Sequence, residues 1–295
     1  MDKTSKVKEA ISTTQDEPEQ IDAIKDIRGW FGPEKDSDFY SLVQTYLLES
    51  TTLTQTITKL SDHIEQLQSK EQDFEYMDLW YSILHSAKRI PWRKTECHTK
   101  LVDLVKRMKS PVEENHHNFP DFSAWSLSVR EVLNDSPGCG AGFSVPETHA
   151  WANLNYFLAR VKKERLSEDF VPLHGLWALR EALEHVHKDD GPHDAHVPGT
   201  KIEKYNSLVP AAATWVISLG KELYDLEKDM APASPNHGNP AVGGELWKGK
   251  PEFSKGRWAL WKKRFGEISK MEELNEETKE IAKEAVEAME KAEGS

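Results

Sequence analysis

Leu53, Ile57, Leu60, Ile64 and Leu67 recur at alternating steps of four and three. That interval returns side chains to one face of an α-helix and forms the seam through which packed helices meet. The seam covers only two heptads, so it predicts a contact within the chain rather than a long coiled coil. Related spacings fill most of the sequence. Phe39, Tyr40, Leu42, Val43, Tyr46 and Leu47 make a broad apolar face over 37–49, and Phe74, Leu79, Trp80, Ile83 and Leu84 do so over 72–88. The Ile90-Pro91 step ends the latter helix, because proline disfavours the helical conformation of the residue before it. Leu101, Leu104, Val105 and Met108 mark a further helix, and Phe122, Trp125, Val129, Val132 and Leu133 the next.

Beyond residue 145 the pattern continues through Trp151, Leu154, Phe157, Leu158 and Val161, then Leu176, Leu179 and Leu183, then Val209, Ala212, Val216, Leu219 and Leu223. Trp258, Trp261 and Phe265 close the series. No run of alternating β-branched residues bounded by turns interrupts it. The expectation is an all-α fold, an irregular multi-helix array or solenoid-like bundle of about nine to ten helices. Tryptophans punctuate the helices at uneven intervals, which argues against a strict short repeat.

Residues 1–20 are polar and aperiodic and read as a mobile tail. Residues 21–270 read as one helical domain, with halves at about 21–137 and 144–270 separated by the glycine-rich run 138-GCGAG-142. A Pro/Gly/Asn-rich linker, 230-MAPASPNHGNPAVGG-244, precedes the last aromatic helix. The segment 271–295 carries nine glutamates against three lysines and reads as an acidic, solvated helix.

Composition narrows the function classes. With 27 aromatics, ten of them Trp, the 295 residues can build a core. The net charge of -12 opposes steering toward nucleic acid or an anionic membrane. Cys97 and Cys139 are too few for a disulfide framework and lack the spacing of a thiolate metal site. The sequence shows neither a secretory apolar run near residue 1 nor a stretch of membrane-spanning length. An intracellular location, cytoplasmic or nuclear, is therefore expected.

Four segments, 151-WANLNYFLARV-161, 175-GLWALREALE-184, 209-VPAAATWVISLGKELYDLE-227 and 256-GRWALWKKRF-265, carry a resemblance through their order and spacing. The chain resembles an uncharacterised all-helical domain family of filamentous ascomycete fungi, firmly over roughly 140–270 and loosely before that. The resemblance implies an all-helical fold and transfers no catalytic residue and no cofactor.

The densest chemical signal is 184-EHVHKDDGPHDAHVP-198. His185, His187, His193 and His196, with nearby acids, could supply the three or four donors that zinc requires. No HExxH or His-plus-CxxC signature accompanies them, and Gly191-Pro192 and Pro198-Gly199 break the chain on either side. A wet connector between two helices is the preferred reading. The loop 138-GCGAGF-143 could cradle a phosphate at a helix start, but no strand precedes it and no Lys-Ser/Thr follows. The stretch 255-KGRWALWKKR-264 sets cations beside two indoles. Basic residues with aromatics can hold phosphates and stack bases, although cations also snorkel beside a buried aromatic face.

Two functional expectations follow. The first is a non-enzymatic interaction, scaffold or regulatory protein that binds a protein or peptide partner through Trp258, Trp261, Arg257, Lys262 and Arg264, with Trp151 and Trp177 as core supports. The second is an enzyme or a small-ligand or metal-binding protein. Its pocket would draw on His149, His174, His185 and His187 with Glu147, Glu181 and Glu184. No cofactor is implied by either, and nucleic acid is disfavoured as a partner.

Overall fold

Most of the buried apolar side chains form one contiguous core that runs from Phe39 to Ala292. The computed structural model describes residues 2–70, 76–110, 119, 123–166, 172–191, 193–234, 236 and 238–295. Among these, twelve α-helices account for the regular structure: α1 (Lys3–Ile11), α2 (Glu17–Arg28), α3 (Asp38–Leu47), α4 (Leu53–Ser69), α5 (Tyr76–Arg89), α6 (Thr95–Met108), α7 (Ser123–Val132), α8 (Val145–Lys163), α9 (Leu173–Leu183), α10 (Lys201–Tyr224), α11 (Lys255–Ile268) and α12 (Glu276–Glu293). Two two-residue strands, Lys228–Asp229 and Glu252–Phe253, pair antiparallel. The fold is all-α, with somewhat more helices than the periodicity implied. No helix among the described residues is long and apolar enough to cross a membrane. Phe74 and Phe122, used above to mark helix faces, lie outside the described residues.

Local chemistry sets the ends of these helices. Thr52 and Gln55 form a reciprocal capping box on α4, and Thr200 and Glu203 form another on α10. Helix α5 stops at Arg89, before Pro91. The turn that follows is held by Asn153 of α8, whose side chain accepts from Trp92 N at 2.7 Å and donates to Lys88 O at 2.8 Å. Helix α10 runs between α8, α9 and α12, and α5 packs on α3, α7 and α8. The core therefore passes without interruption from the first half of the sequence into the second. Gly175 permits the closest approach in this layer: a Cβ there would stand 2.6 Å from the Trp215 ring.

Both ends of the chain differ from the composition-based reading. Residues 1–20 include α1 and the start of α2. Asp2 caps α1 through Ser5 N at 3.0 Å, and Val7 is fully covered in a second apolar patch with Ile21, Ile24 and Trp30. One well-placed valine anchors α1, too sparse a signal for periodicity to register. Helix α12 forms where a helix was expected, but it is not solvated all round. It buries Ile281, Ala282, Ala285, Met289 and Ala292, and much of that face is alanine, which composition reads as exposed helix.

The 138–142 run is a fixed turn. Gly138 N donates to Ala141 O at 2.9 Å, Gly140 N donates to Asn134 O at 2.9 Å, and Trp30 Nε1 donates to Gly140 O at 3.0 Å. Gly142 N donates to Glu147 Oε1 at 2.7 Å, and the same oxygen receives Arg28 Nε at 2.7 Å. A second buried pair joins Lys88 Nζ to Asp135 Oδ2 at 2.6 Å.

The third and most enclosed pair is Glu184 with Arg257, both side chains wholly covered. Arg257 Nε and Nη2 donate to the two carboxylate oxygens at 2.7 and 3.0 Å, Trp261 Nε1 donates at 2.7 Å and Gly244 N at 2.8 Å. Removing one member of such a pair strands a buried charge, at a cost of about 3–5 kcal/mol. Glu184→Ala should therefore lower the unfolding free energy in urea by that amount. The double variant Glu184→Leu with Arg257→Met, which removes both charges, should lose less. A single-variant loss under about 1 kcal/mol, the range of an exposed pair, would show that this bond does not organise the fold.

His149 on α8 ties the two ends of the chain together. Its Nδ1 lies 2.7 Å from Glu17 Oε2 and its Nε2 lies 3.2 Å from Glu277 Oε2. The hydrogen bonds to Glu17 and then Glu277 raise its pKa from 6.5 to about 10, against burial. A raised folded-state pKa means stability that is fully present below pH 6.5 and is lost as pH rises toward about 10. The stability difference between wild type and His149→Ala should shrink across that window. A constant difference would contradict the assignment.

Candidate functional site

Helix α9 presents His174, Trp177, Ala178 and Glu181 at helical spacings of three, one and three, so they share one stripe. Opposite it, Trp151 and Asn155 lie one turn apart on α8, and Lys204 and Leu208 lie one turn apart on α10. Together these residues line a cavity of about 440 Å³, closed on one side by the 136–143 turn with Phe143 and on another by the segment carrying His187 and Asp190. Its volume is in the range that takes a small organic ligand.

The walls are held by bonds away from the cavity. Asn155 Oδ1 accepts from Trp215 Nε1 at 2.8 Å, and its amide donates to Trp151 O at 2.9 Å. Trp177 Nε1 donates to Pro240 O at 2.7 Å, and Arg180 Nη1 reaches Val242 O at 3.2 Å. The Pro/Gly linker is thus strapped across α9 and fixes its outer edge. The 187–199 segment is closed by Asp190 N to Gly199 O and by Gly199 N to Asp190 Oδ2, each 3.0 Å, while Val197 N donates to Gly138 O at 3.1 Å.

His187 sits edge-on to Tyr205, with ring centroids 4.7 Å apart. Its Nε2 is buried and has no hydrogen-bond partner. Burial, then the nearby Lys204 cation, lowers its pKa from 6.5 to about 4. Burial, then Lys162, lowers His174 to about 4 as well. Both imidazoles are therefore neutral at pH 7. Asp190 is held below the usual carboxylate range by its hydrogen bonds to Lys204 and to the Gly199 backbone.

The residues expected to hold a metal are spread out. His187 faces the cavity, His185 stands 3.7 Å from Glu181, and His193 and His196 are exposed on the loop. The acids of the run are engaged elsewhere: Glu184 by Arg257, Asp189 by Lys201 N at 2.6 Å, Asp190 by Lys204, and Asp194 by Gly191 N at 2.7 Å. Among the described residues, no group of three or more His, Cys, Asp or Glu side chains could hold a metal ion.

The five residues expected to bind a partner are occupied within the molecule. Trp258, Trp261 and Arg257 are buried. Trp258 Nε1 donates to Glu293 Oε1 at 3.0 Å, and Lys262 Nζ meets Glu293 Oε2 at 2.5 Å. Arg264 binds Leu183 O, Glu267 and the Tyr205 hydroxyl. The last turn of α12 supplies Glu293, so the acidic tail does fold over this basic face.

Of the residues expected in a pocket, His174, Glu181 and His187 line the same cavity. Glu147, His149 and Glu184 are instead committed to the ion pairs described above. Trp151 and Trp177, expected as core supports, also face the cavity, as do Phe143 and Asn155, which sequence reasoning did not single out. The α9 stripe at 174, 177, 178 and 181 was the available signal for the Trp. The neutrality of the two histidines generates a direct check. At pH 5.5 the 15N NMR shifts of His174 and His187 should be those of neutral imidazole, where an ordinary histidine is mostly protonated; protonated rings at that pH would remove the electrostatic description of the cavity.

No curated protein and no solved structure matches the chain. The family described as "Protein of unknown function (DUF3632)" matches residues 80–265, well over half of the sequence. That span runs from Trp80 in α5 to Phe265 in α11 and contains every residue that lines the cavity. By that match the chain belongs to the DUF3632 family.

Proposed function

We propose that the protein is a small-molecule binder whose ligand occupies the cavity between α8, α9 and α10. The observation that carries this reading is the cavity of about 440 Å³ walled by Phe143, Trp151 and Trp177, with the neutral imidazoles of His174 and His187 in its lining. Aromatic walls with few convergent polar groups are the usual lining of a small-molecule site. Binding through α11 to a protein or peptide partner has less support, because its two indoles are covered and its cations are paired.

The test is a tryptophan-fluorescence titration with a fragment set of bicyclic aromatics, repeated on Ala178→Trp, which fills the cavity from α9. Saturable quenching in the wild type, weakened at least about tenfold in a folded variant, is the expected result, since loss of one good contact set is worth about 1.4 kcal/mol or more. Equal binding by both proteins would place the ligand elsewhere, and no saturable response from any fragment would end the reading.

A further inference from the structure

Four charged side chains line the cavity: Arg180, Glu181, Asp190 and Lys204. Lys204 and Asp190 pair with each other, and Asp190 also accepts from the Gly199 amide at 3.0 Å. Those two charges cancel. Arg180 and Glu181 stand differently. Arg180 Nη1 donates to the carbonyls of Pro240 at 3.4 Å and Val242 at 3.2 Å. Carbonyls are dipoles, so these bonds orient the guanidinium without neutralising it, and among the described residues no acid pairs with it. Glu181 has the His185 ring at 3.7 Å, a partner that is charged only when protonated, and 54% of its side chain is exposed. One uncompensated charge of each sign therefore borders an aromatic cavity.

Helix geometry explains why the two do not neutralise each other. Consecutive residues of an α-helix point about 100° apart around its axis and do not face one another. Each instead lies one turn beyond Trp177, at the i+3 and i+4 positions, where side chains are neighbours. Helical side chains lean toward the N-terminus, which tilts both heads back toward the Trp177 indole. A guanidinium and a carboxylate thus flank one end of the aromatic wall. A ligand with a single charge would match one of them and bring a like charge near the other. A ligand that carries both signs on adjoining atoms answers both.

We infer that the ligand is an aromatic amino acid in its zwitterionic form. Its α-carboxylate meets Arg180, its α-ammonium meets Glu181, and its ring lies among Trp177, Trp151 and Phe143. This rests on the small-molecule reading above and names the ligand class of that site. Arg180 and Glu181 recognise what all amino acids share, and the aromatic walls select the side chain.

Four indoles separate these contributions in calorimetric titration at pH 7. L-Tryptophan carries both charges, tryptamine only the ammonium, indole-3-propionate only the carboxylate, and indole neither. L-Tryptophan should bind tightest, and each of the other three at least about fivefold more weakly, the worth of a charged contact partly screened by water. Arg180→Gln should erase the gap between L-tryptophan and tryptamine. Glu181→Gln should erase the gap between L-tryptophan and indole-3-propionate. If the first variant loosens the linker and does not fold, the second, at an exposed side chain, decides together with the wild-type ranking. Tryptamine, indole-3-propionate or indole binding as tightly as L-tryptophan overturns the zwitterion, as does a ranking that Glu181→Gln leaves unchanged. Each of those results keeps a small-molecule site in place. If none of the four binds while another aromatic fragment does, the inference falls and the reading beneath it stands; if no fragment binds at all, both fall.

Discussion

Glu184 is a carboxylate with no access to water, and the second half of the molecule is arranged around keeping it bonded. Desolvating such a group is tolerable only if its lone pairs are filled by well-placed donors. Four donors converge on it from three places: the guanidinium of Arg257 gives two, the Trp261 indole one and the Gly244 amide one. Its own carbonyl also accepts from Leu246 N at 2.9 Å. The end of α9, the middle of α11 and the long linker are therefore pinned to a single residue. Because that residue opens the 184–198 segment, the histidine three positions later leaves from a fixed point. The segment's return is equally fixed, through the Asp190–Gly199 bonds and the cap of α10. An irregular stretch of chain thus holds the His187 ring in place at the edge of the cavity.

The same logic separates two kinds of tryptophan. Trp215 and Trp261 are completely covered and donate to buried side-chain oxygens, of Asn155 and Glu184 respectively. Their indoles hold helices together, and the polar atom of each is consumed inside the core. Trp177 is only partly covered and donates outward to the linker carbonyl of Pro240, with its ring beside His174 at 5.3 Å. Its ring face borders the cavity while its polar edge anchors the strap. For Trp177 the N–H is satisfied on the linker, which leaves the ring free to serve as a wall.

How much of this was legible in the sequence follows from the range of the interactions involved. Helical spacing is a local property, so the faces at 53–67, 151–161 and 209–223 could be read directly, as could the proline that ends α5. Capping residues such as Thr52 and Thr200 act within one turn and are equally local. The buried ion pairs are not. Arg28 meets Glu147 across 119 positions and Glu184 meets Arg257 across 73. Fifty acids and 38 basic residues leave too many pairings for composition to choose among. The dense His/Asp run, read as a connector in preference to a metal site, uses its aspartates on nearby backbone amides, at Gly191, Gly199 and Lys201, a use that leaves no mark in residue type. Trp258 and Trp261 beside a cluster of cations had the pattern of a binding surface. Their hydrogen-bond partners, Glu184 at the end of α9 and Glu293 on α12, lie far away in sequence.

This contrast bears on where a binding site can arise in such a fold. Folding completes the polar atoms around Glu184, around the 138–142 turn and along the strap, and each completed site is also rigid. At the α8–α9–α10 cavity the supporting atoms are completed in the same way, Asn155 by Trp215 and Trp151, Asp190 by Lys204 and Gly199. The buried Nε2 of His187 is left without a hydrogen bond. Burial, with the Lys204 cation nearby, keeps that ring neutral at pH 7. Preorganisation of this kind lowers what any ligand must lose on binding, because walls whose polar atoms are already bonded need no rearrangement to receive it.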